Sequence, residues 1–248
     1  MPYRRLPISD NTRTNALQTA KDKADATDPA QWAISPETKA RIDAILPQWK
    51  TEVTERGSAL SEQLEASKEE DEAQAFCALT STHFIQVFNL GITRGVYKES
   101  DRAFYGIDGN DSNTPHITTE AETTRWAMAI IDGDAERMAD GVAAPMVNPS
   151  AADVQAALDD WQARHTTQSS TKDTYDKEQE DVEGMRPEVD DLIIDIWDEV
   201  EFTYRKDDAP SKRRKAREWG VFYATRPGEE PENGEELPPE NPVPGEPA

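Results

Sequence analysis

Three histidines and one cysteine are all that 248 residues offer for metal or nucleophilic chemistry. His83 and His165 fall within apolar helical stripes, where a hydrogen-bonded core or boundary histidine is the commoner arrangement. A ferritin-like di-metal bundle needs Glu-x-x-His pairs on two helices. The residues three before these histidines are Thr80 and Gln162, so that pattern fails. His116 stands alone in a turn-rich stretch. Cys77 lies beside Phe76 and Leu79 on an apolar helix face and reads as a buried, inert thiol. A single cysteine also excludes an intramolecular disulfide framework and a multi-cysteine zinc site. Asp108-Gly109-Asn110-Asp111-Ser112-Asn113 offers oxygens at alternate positions, as a calcium loop does. Its sixth position is Asn113 rather than glycine, however, and its twelfth is Thr119. Such loops are ordinary turns. No phosphate loop, dinucleotide fingerprint or Gly-x-Ser-x-Gly elbow occurs. Acid pairs such as Glu69-Glu70, Asp190-Asp191 and Asp207-Asp208 are too common among 50 carboxylates to mark an acid–base pair. The sequence therefore predicts no catalytic residue, no metal and no cofactor.

One segment runs against the acidic trend. Arg205-Lys206 and Lys212-Arg213-Arg214-Lys215-Ala216-Arg217 make seven of 13 residues cationic, with Trp219 close behind. Positive charge at a helix C-terminus suits the helix dipole and can pair with the chain's own acids. The sharper reading is a docking patch for an acidic neighbour, such as the Glu-rich tail of another copy. Arg4 and Arg5, between Pro2 and Pro7, form a second cationic spot. The candidate partner-binding set is thus Arg4, Arg5, Arg205, Lys206, Lys212, Arg213, Arg214, Lys215, Arg217 and Trp219. Only Trp219 accompanies the basic run as an aromatic platform, so nucleic acid is not an expected partner.

The net charge is −23, from 50 acidic and 27 basic side chains, and hydrophobic residues make up 35%. Residues 227–248 hold seven Pro and seven Glu with no Lys or Arg, so −16 remains on the body. Selection for solubility at high ionic strength, where self-repulsion is screened, accounts for an acidic body with few lysines. Mimicry of nucleic acid, or docking on a basic partner, is the functional alternative. No run approaches the ~18–20 apolar residues of a membrane span, and the opening lacks the apolar core of a signal peptide. The expectation is a cytoplasmic protein with no membrane partner.

The elements that must position these residues read as helices. A first helix begins after Ser9 or Asp10 and ends before Asp28-Pro29. Ser35-Pro36-Glu37 caps a second, carrying Ile42, Leu46, Trp49, Val53, Leu60 and Leu64, with Pro47 a kink. A polar break around 67–71 precedes a third, whose stripe of Phe76, Thr80, His83, Val87 and Leu90, flanked by Leu79, Phe84 and Phe88, is wide enough to be nearly buried. Thr119 with Glu122 forms a capping box before a short helix. Ser150 opens another long helix, Pro187 restarts the chain, and Val189, Ile193, Ile196, Trp197, Val200 and Tyr204 follow at helical spacing. Residues 220–225 read as a short extended segment.

Two stretches are alike. Each opens on a capping serine (Ser35, Ser150), runs through a polar and then an aromatic-rich helix, and closes on an aromatic and a glycine (Tyr105-Gly106, Trp219-Gly220). The offset is about 115 residues. The fold class expected is all-α: a four-helix bundle from two repeated helical hairpins, with a short-helix crossover and extended terminal arms. Its segments are an arm and short helix at 1–34, hairpins at 35–107 and 150–226, a crossover at 108–149 and a Pro/Glu-rich tail at 227–248.

Met1-Pro2-Tyr3-Arg4-Arg5-Leu6-Pro7, His83-Phe84-Ile85-Gln86-Val87-Phe88-Asn89 through Gly95, Phe104-Tyr105-Gly106, Ile194-Asp195-Ile196-Trp197 and Gly220-Val221-Phe222-Tyr223 resemble a family of uncharacterised bacterial helical proteins. The likeness covers residues 1–226. It implies a helical fold and a bacterial source, and carries over no activity and no catalytic residue. The functional expectation is a non-enzymatic structural or protein-interaction protein. It would be a subunit or accessory of a self-assembling complex, a homo-oligomer whose terminal arms contact neighbouring copies or other subunits. The alternative is an acidic module that occupies a basic partner.

Overall fold

The computed structural model describes residues 2–141 and 145–225, and they are almost entirely helical. Five α-helices occur in chain order: α1 (Asp10–Asp25), α2 (Pro36–Thr93), α3 (Glu120–Ala139), α4 (Ala151–Thr203) and α5 (Ala209–Arg217). Two 3-10 segments lie at Pro29–Gln31 and Glu99–Tyr105, and two short strands, β1 (Tyr3–Arg4) and β2 (Tyr223–Ala224), pair antiparallel. The all-α expectation holds. The tail at 227–248 lies outside the described residues.

The starts fall where the capping chemistry places them. The hydroxyl of Ser9 accepts from the Thr12 N–H, and that of Ser35 accepts from the Thr38 N–H at 3.1 Å. Thr119 and Glu122 form their capping box, and the Ser150 hydroxyl accepts from the Asp153 N–H. Each satisfies a donor that the first helical turn leaves unpaired.

Two expected interruptions are absent. The break at 67–71 does not occur, and α2 continues for 58 residues. Lys68, Glu69, Glu70 and Glu72 are good helix formers, and neither glycine nor proline stands among them. Nor does Pro187 restart the chain, since α4 runs through it for 53 residues. A proline inside a helix costs about 3 kcal/mol, and the buried Val182, Val189, Leu192 and Ile193 around it offset that cost. Each expected hairpin therefore contains one long helix where two were anticipated.

The chain divides into two compact units. Unit 1 runs up to Arg56 and resumes at Glu178, and unit 2 is Gly57–Lys177. Unit 1 holds α1, the opening of α2, the end of α4 and α5. Its core includes Leu17, Ile42, Leu46, Trp49, Leu192, Ile196, Trp197 and Trp219. Unit 2 holds the end of α2, α3 and the opening of α4, around Cys77, Phe84, Phe88, Tyr105, Ile130, Val154 and Trp161.

Each core closes in the same way. The N–H of Ile107 donates to the carbonyl of Arg102 (3.1 Å), and that of Val221 to the carbonyl of Ala216 (3.2 Å). Between them Gly106 and Gly220 take φ of 69° and 83°, the left-handed C-cap that favours glycine. Buried Tyr105 and Trp219 precede these glycines.

One part-buried hydrogen bond distinguishes the two cores. Trp49 Nε1 donates to the Thr14 hydroxyl at 2.9 Å, whereas the buried Trp161 Nε1 has no acceptor. Thr14→Ala is expected to leave both indoles unpaired and to cost roughly 1–3 kcal/mol. Urea unfolding followed by tryptophan fluorescence checks this.

Candidate interaction surfaces

The cationic segment is brought together in unit 1, and much of it is neutralised by its own chain. Arg4 bonds Asp198, with Glu201 at 4.0 Å, and lies over the Trp197 ring. Lys212 reaches Glu201 at 3.7 Å, and Lys215 binds Asp207 at 2.7 Å beside the Tyr204 ring. Arg205 stacks on Phe202, and Arg217 lies over Tyr223. Arg213 and Trp219 are buried, and Trp219 Nε1 donates to the Tyr204 hydroxyl. Those two are core groups and present nothing to a partner. Arg5, Lys206 and Arg214 remain exposed. The N-terminal arm is also occupied internally: Tyr3 pairs with Ala224, Arg4 with Tyr223, and the Arg5 N–H donates to the Phe222 carbonyl. The arm closes unit 1 where the sequence suggested an extension toward a neighbour.

The sequence reading missed a buried ionic cluster. Asp10, 8% exposed, accepts from Arg186 through two bonds of 2.9 Å and from Arg56 at 2.6 Å, with Arg13 at 3.3 Å. Arg13 also forks onto Asp190 at 2.8 and 3.0 Å. Burial alone raises the Asp10 carboxyl, but the hydrogen bonds from Arg186 and Arg56 outweigh it and hold the group below its ordinary value. Arg56 and Arg186 lie far from Asp10 in sequence, as Asp190 does from Arg13, so no local motif announced the cluster. In the same unit Glu52, Glu55 and Glu178 bring carboxylate oxygens within 4.8 Å of one another. Glu52 and Glu178 engage other groups of the chain, so the trio belongs to the ionic surface.

Other candidates resolve simply. Asp108 and Asp111 each accept from the N–H two residues on (Asn110, Asn113), the mark of Asx turns. Cys77 is fully buried, and burial pushes its thiol up to about 11. His165 is exposed and meets Glu70 at 2.9 Å, beside the Arg164–Glu69 pair at 2.5 Å. The hydrogen bond to Glu70 raises its pKa.

His83 leads to a different surface. The wide stripe on α2 is two faces, only one of which is core. Cys77, Thr80, Ser81, Phe84, Ile85 and Phe88 are buried, while Phe76, Leu79, His83, Val87 and Leu90 are exposed. The apolar members of the second face are 38–59% exposed. They occupy one narrow arc, because spacings of three and four residues return to the same side of a helix. Leu79 also lines a shallow groove of about 370 Å³ with Ala75, Thr82 and Ile117. From Ala73 to Thr93 no residue is charged, although 31% of the chain is. Contrary to the expectation that no stretch is apolar enough for a membrane, α2 contains an 18-residue window of mean hydropathy 1.2, a third of it buried.

The second long helix provides an internal comparison. Ile42, Ile45, Leu46, Trp49, Cys77, Thr80, Ser81, Phe84, Ile85 and Phe88 of α2 are buried. So are Val154, Ala157, Leu158, Trp161, Val189, Leu192, Ile193, Ile196, Trp197 and Val200 of α4, each 112 positions later. At the same displacement, Phe76, Leu79, His83, Val87 and Leu90 correspond to Glu188, Asp191, Asp195, Glu199 and Phe202. The core positions keep their burial while four of the five positions on the second face become acidic and Phe202 stays apolar and exposed. Packing within a unit therefore does not require that face to be apolar. No family model, curated protein or solved structure matches the chain.

The Asp10 cluster carries a stability prediction. A carboxylate whose pKa is lowered on folding stabilises fully above its unfolded value, near 3.8, and the contribution fades as pH falls through the lower folded value. Asp10→Asn is expected to cost roughly 2–4 kcal/mol at neutral pH. In urea titrations the gap to the parent protein should narrow below about pH 4.

Proposed function

We propose that this chain is a protein-interaction protein and a subunit of a self-assembling complex, and that the uncharged face of α2 is its contact surface. The observation that carries this reading is the contrast between the long helices. Equivalent positions are Phe76, Leu79, Val87 and Leu90 on α2 but Glu188, Asp191, Glu199 and Phe202 on α4. An exposed apolar strip that the fold does not need, on so acidic a chain, marks an association site. With the arm held by β2, contact passes from the terminal arms to a helix face.

The scaffold reads as a duplication in which each unit is a four-part helical bundle. Short helix, long helix and glycine closure recur as α1, α2, Gly106 and then α3, α4, Gly220. Each unit takes the short helix and the opening of the long helix from one repeat, and the end of the long helix and the closure from the other. The common burial register supports this duplication. Trp49 and Trp161 occupy corresponding positions in that register, both buried.

Sedimentation equilibrium over a wide concentration range tests the reading. The average mass is expected to rise above 27.7 kDa with concentration and to survive high salt, because apolar contact is not screened. Leu79→Glu is expected to return the protein to monomer. A monomer at every concentration overturns the proposal. Capture of a basic protein that collapses with salt would favour the acidic-mimic alternative.

A further inference from the structure

We infer that the partner of this face is a second copy of the chain, packed antiparallel along α2 about a two-fold axis at His83. The inference rests on the association reading above and adds both the identity of the partner and its register.

The argument begins with spacing. Phe76, Leu79, His83, Val87 and Leu90 are placed symmetrically about His83, at seven and four residues before it and four and seven after it. Reversed, the stripe superposes on itself. An antiparallel copy sets Phe76 against Leu90, Leu79 against Val87, and His83 against its own counterpart. The 3-4 alternation is the seam of packed helices, and a two-fold interface requires this self-complementarity.

Charge continues the symmetry. The uncharged run ends on the acidic Glu72 at one side and on Arg94 at the other, 11 residues before and after His83. Both are exposed. Antiparallel pairing sets Glu72 of each copy against Arg94 of the other, whereas parallel pairing sets like charges together. Beside the seam stand Ala75, Thr82, Gln86 and Thr93, none of them charged. Two strongly acidic molecules can thus meet along a run of α2 that carries no acid between Ala73 and Thr93, with Asp71 lining the groove beside Leu79. A membrane surface fits less well, because the run from Ala73 to Thr93 carries no cation and anionic headgroups would repel the acidic body of the chain. The strip is about 21 Å long and covers a few hundred Å² on each copy, below the ~1,200–2,000 Å² total of stable interfaces and in the range of weak ones. The dimer is therefore concentration-dependent.

Disulfide trapping of the full chain reads the register. Buried Cys77 serves as an internal control that stays unreacted. Under a mild oxidant, His83→Cys is expected to give a covalent dimer. Phe76→Cys and Leu90→Cys are each expected to remain monomeric alone but to cross-link when mixed. Glu72→Arg or Arg94→Glu alone should weaken association about 3- to 10-fold, and combining them should restore it. Cross-linking of Phe76→Cys with itself would overturn the register. A chain that self-associates without any of these cross-links would overturn the face, leaving the assembly reading intact. If it sediments as a monomer throughout, or floats with neutral phosphatidylcholine vesicles while remaining monomeric, the assembly reading falls with it.

Discussion

Everything in this protein depends on how two long, polar helices find enough apolar contact to stay helical. A helix of 50 residues or more, in a chain that is only 35% hydrophobic, is not held by intrinsic propensity. It survives because the apolar residues are concentrated. On α2 the core residues cluster over 42–49 and 77–88, and on α4 over 154–161 and 189–200. Between these clusters the helices are rich in Glu, Lys, Gln, Ser and Thr, and small residues such as Ala59 and Ala66 make the buried contacts. Each unit is then completed by a short helix and a glycine closure. Those closures let a large aromatic, Tyr105 or Trp219, drop into the core at the moment the chain turns.

This economy explains what could be read from sequence. Helix starts were legible because capping is local: Ser9, Ser35, Thr119 and Ser150 each act on an N–H within three residues. The glycine closures were legible because a left-handed residue beside a large aromatic leaves a compositional mark. Helix ends inside the long elements were not. A polar stretch at 67–71 resembles a loop when judged by hydrophobicity alone, yet its residues favour helix and lack a breaker. Pro187 likewise looks decisive locally and is overridden by the core around it. The Asp10 cluster was invisible because Arg56 and Arg186 reach it from distant elements.

The misreading of residues 76–90 has a specific cause. A stripe too wide for one face reads as nearly buried, since both of its halves are apolar. Within α2 nothing distinguishes Phe84 from Phe76. Comparison with α4 does, because the buried half keeps its pattern through Val189, Ile193 and Ile196 while the other becomes Glu188, Asp191 and Asp195. Ten shared buried positions, more than any similarity of residue type, identify the register.

That distinction also changes what the acidity means. The net charge of −23 first suggested a property of the whole surface, with the cations at 205–217 as its one exception. Most of those cations are engaged by Asp207, Glu201 and nearby aromatics, so they help to close unit 1. The sharper exception is the run from Ala73 to Thr93, where charge of either sign vanishes. In a strongly like-charged population, Coulomb repulsion opposes every non-specific encounter, and only a surface without charge can approach its own kind at little electrostatic cost. On the proposed assembly reading, the acidic body restricts where copies meet, and the neutral strip on α2 is the place it leaves open.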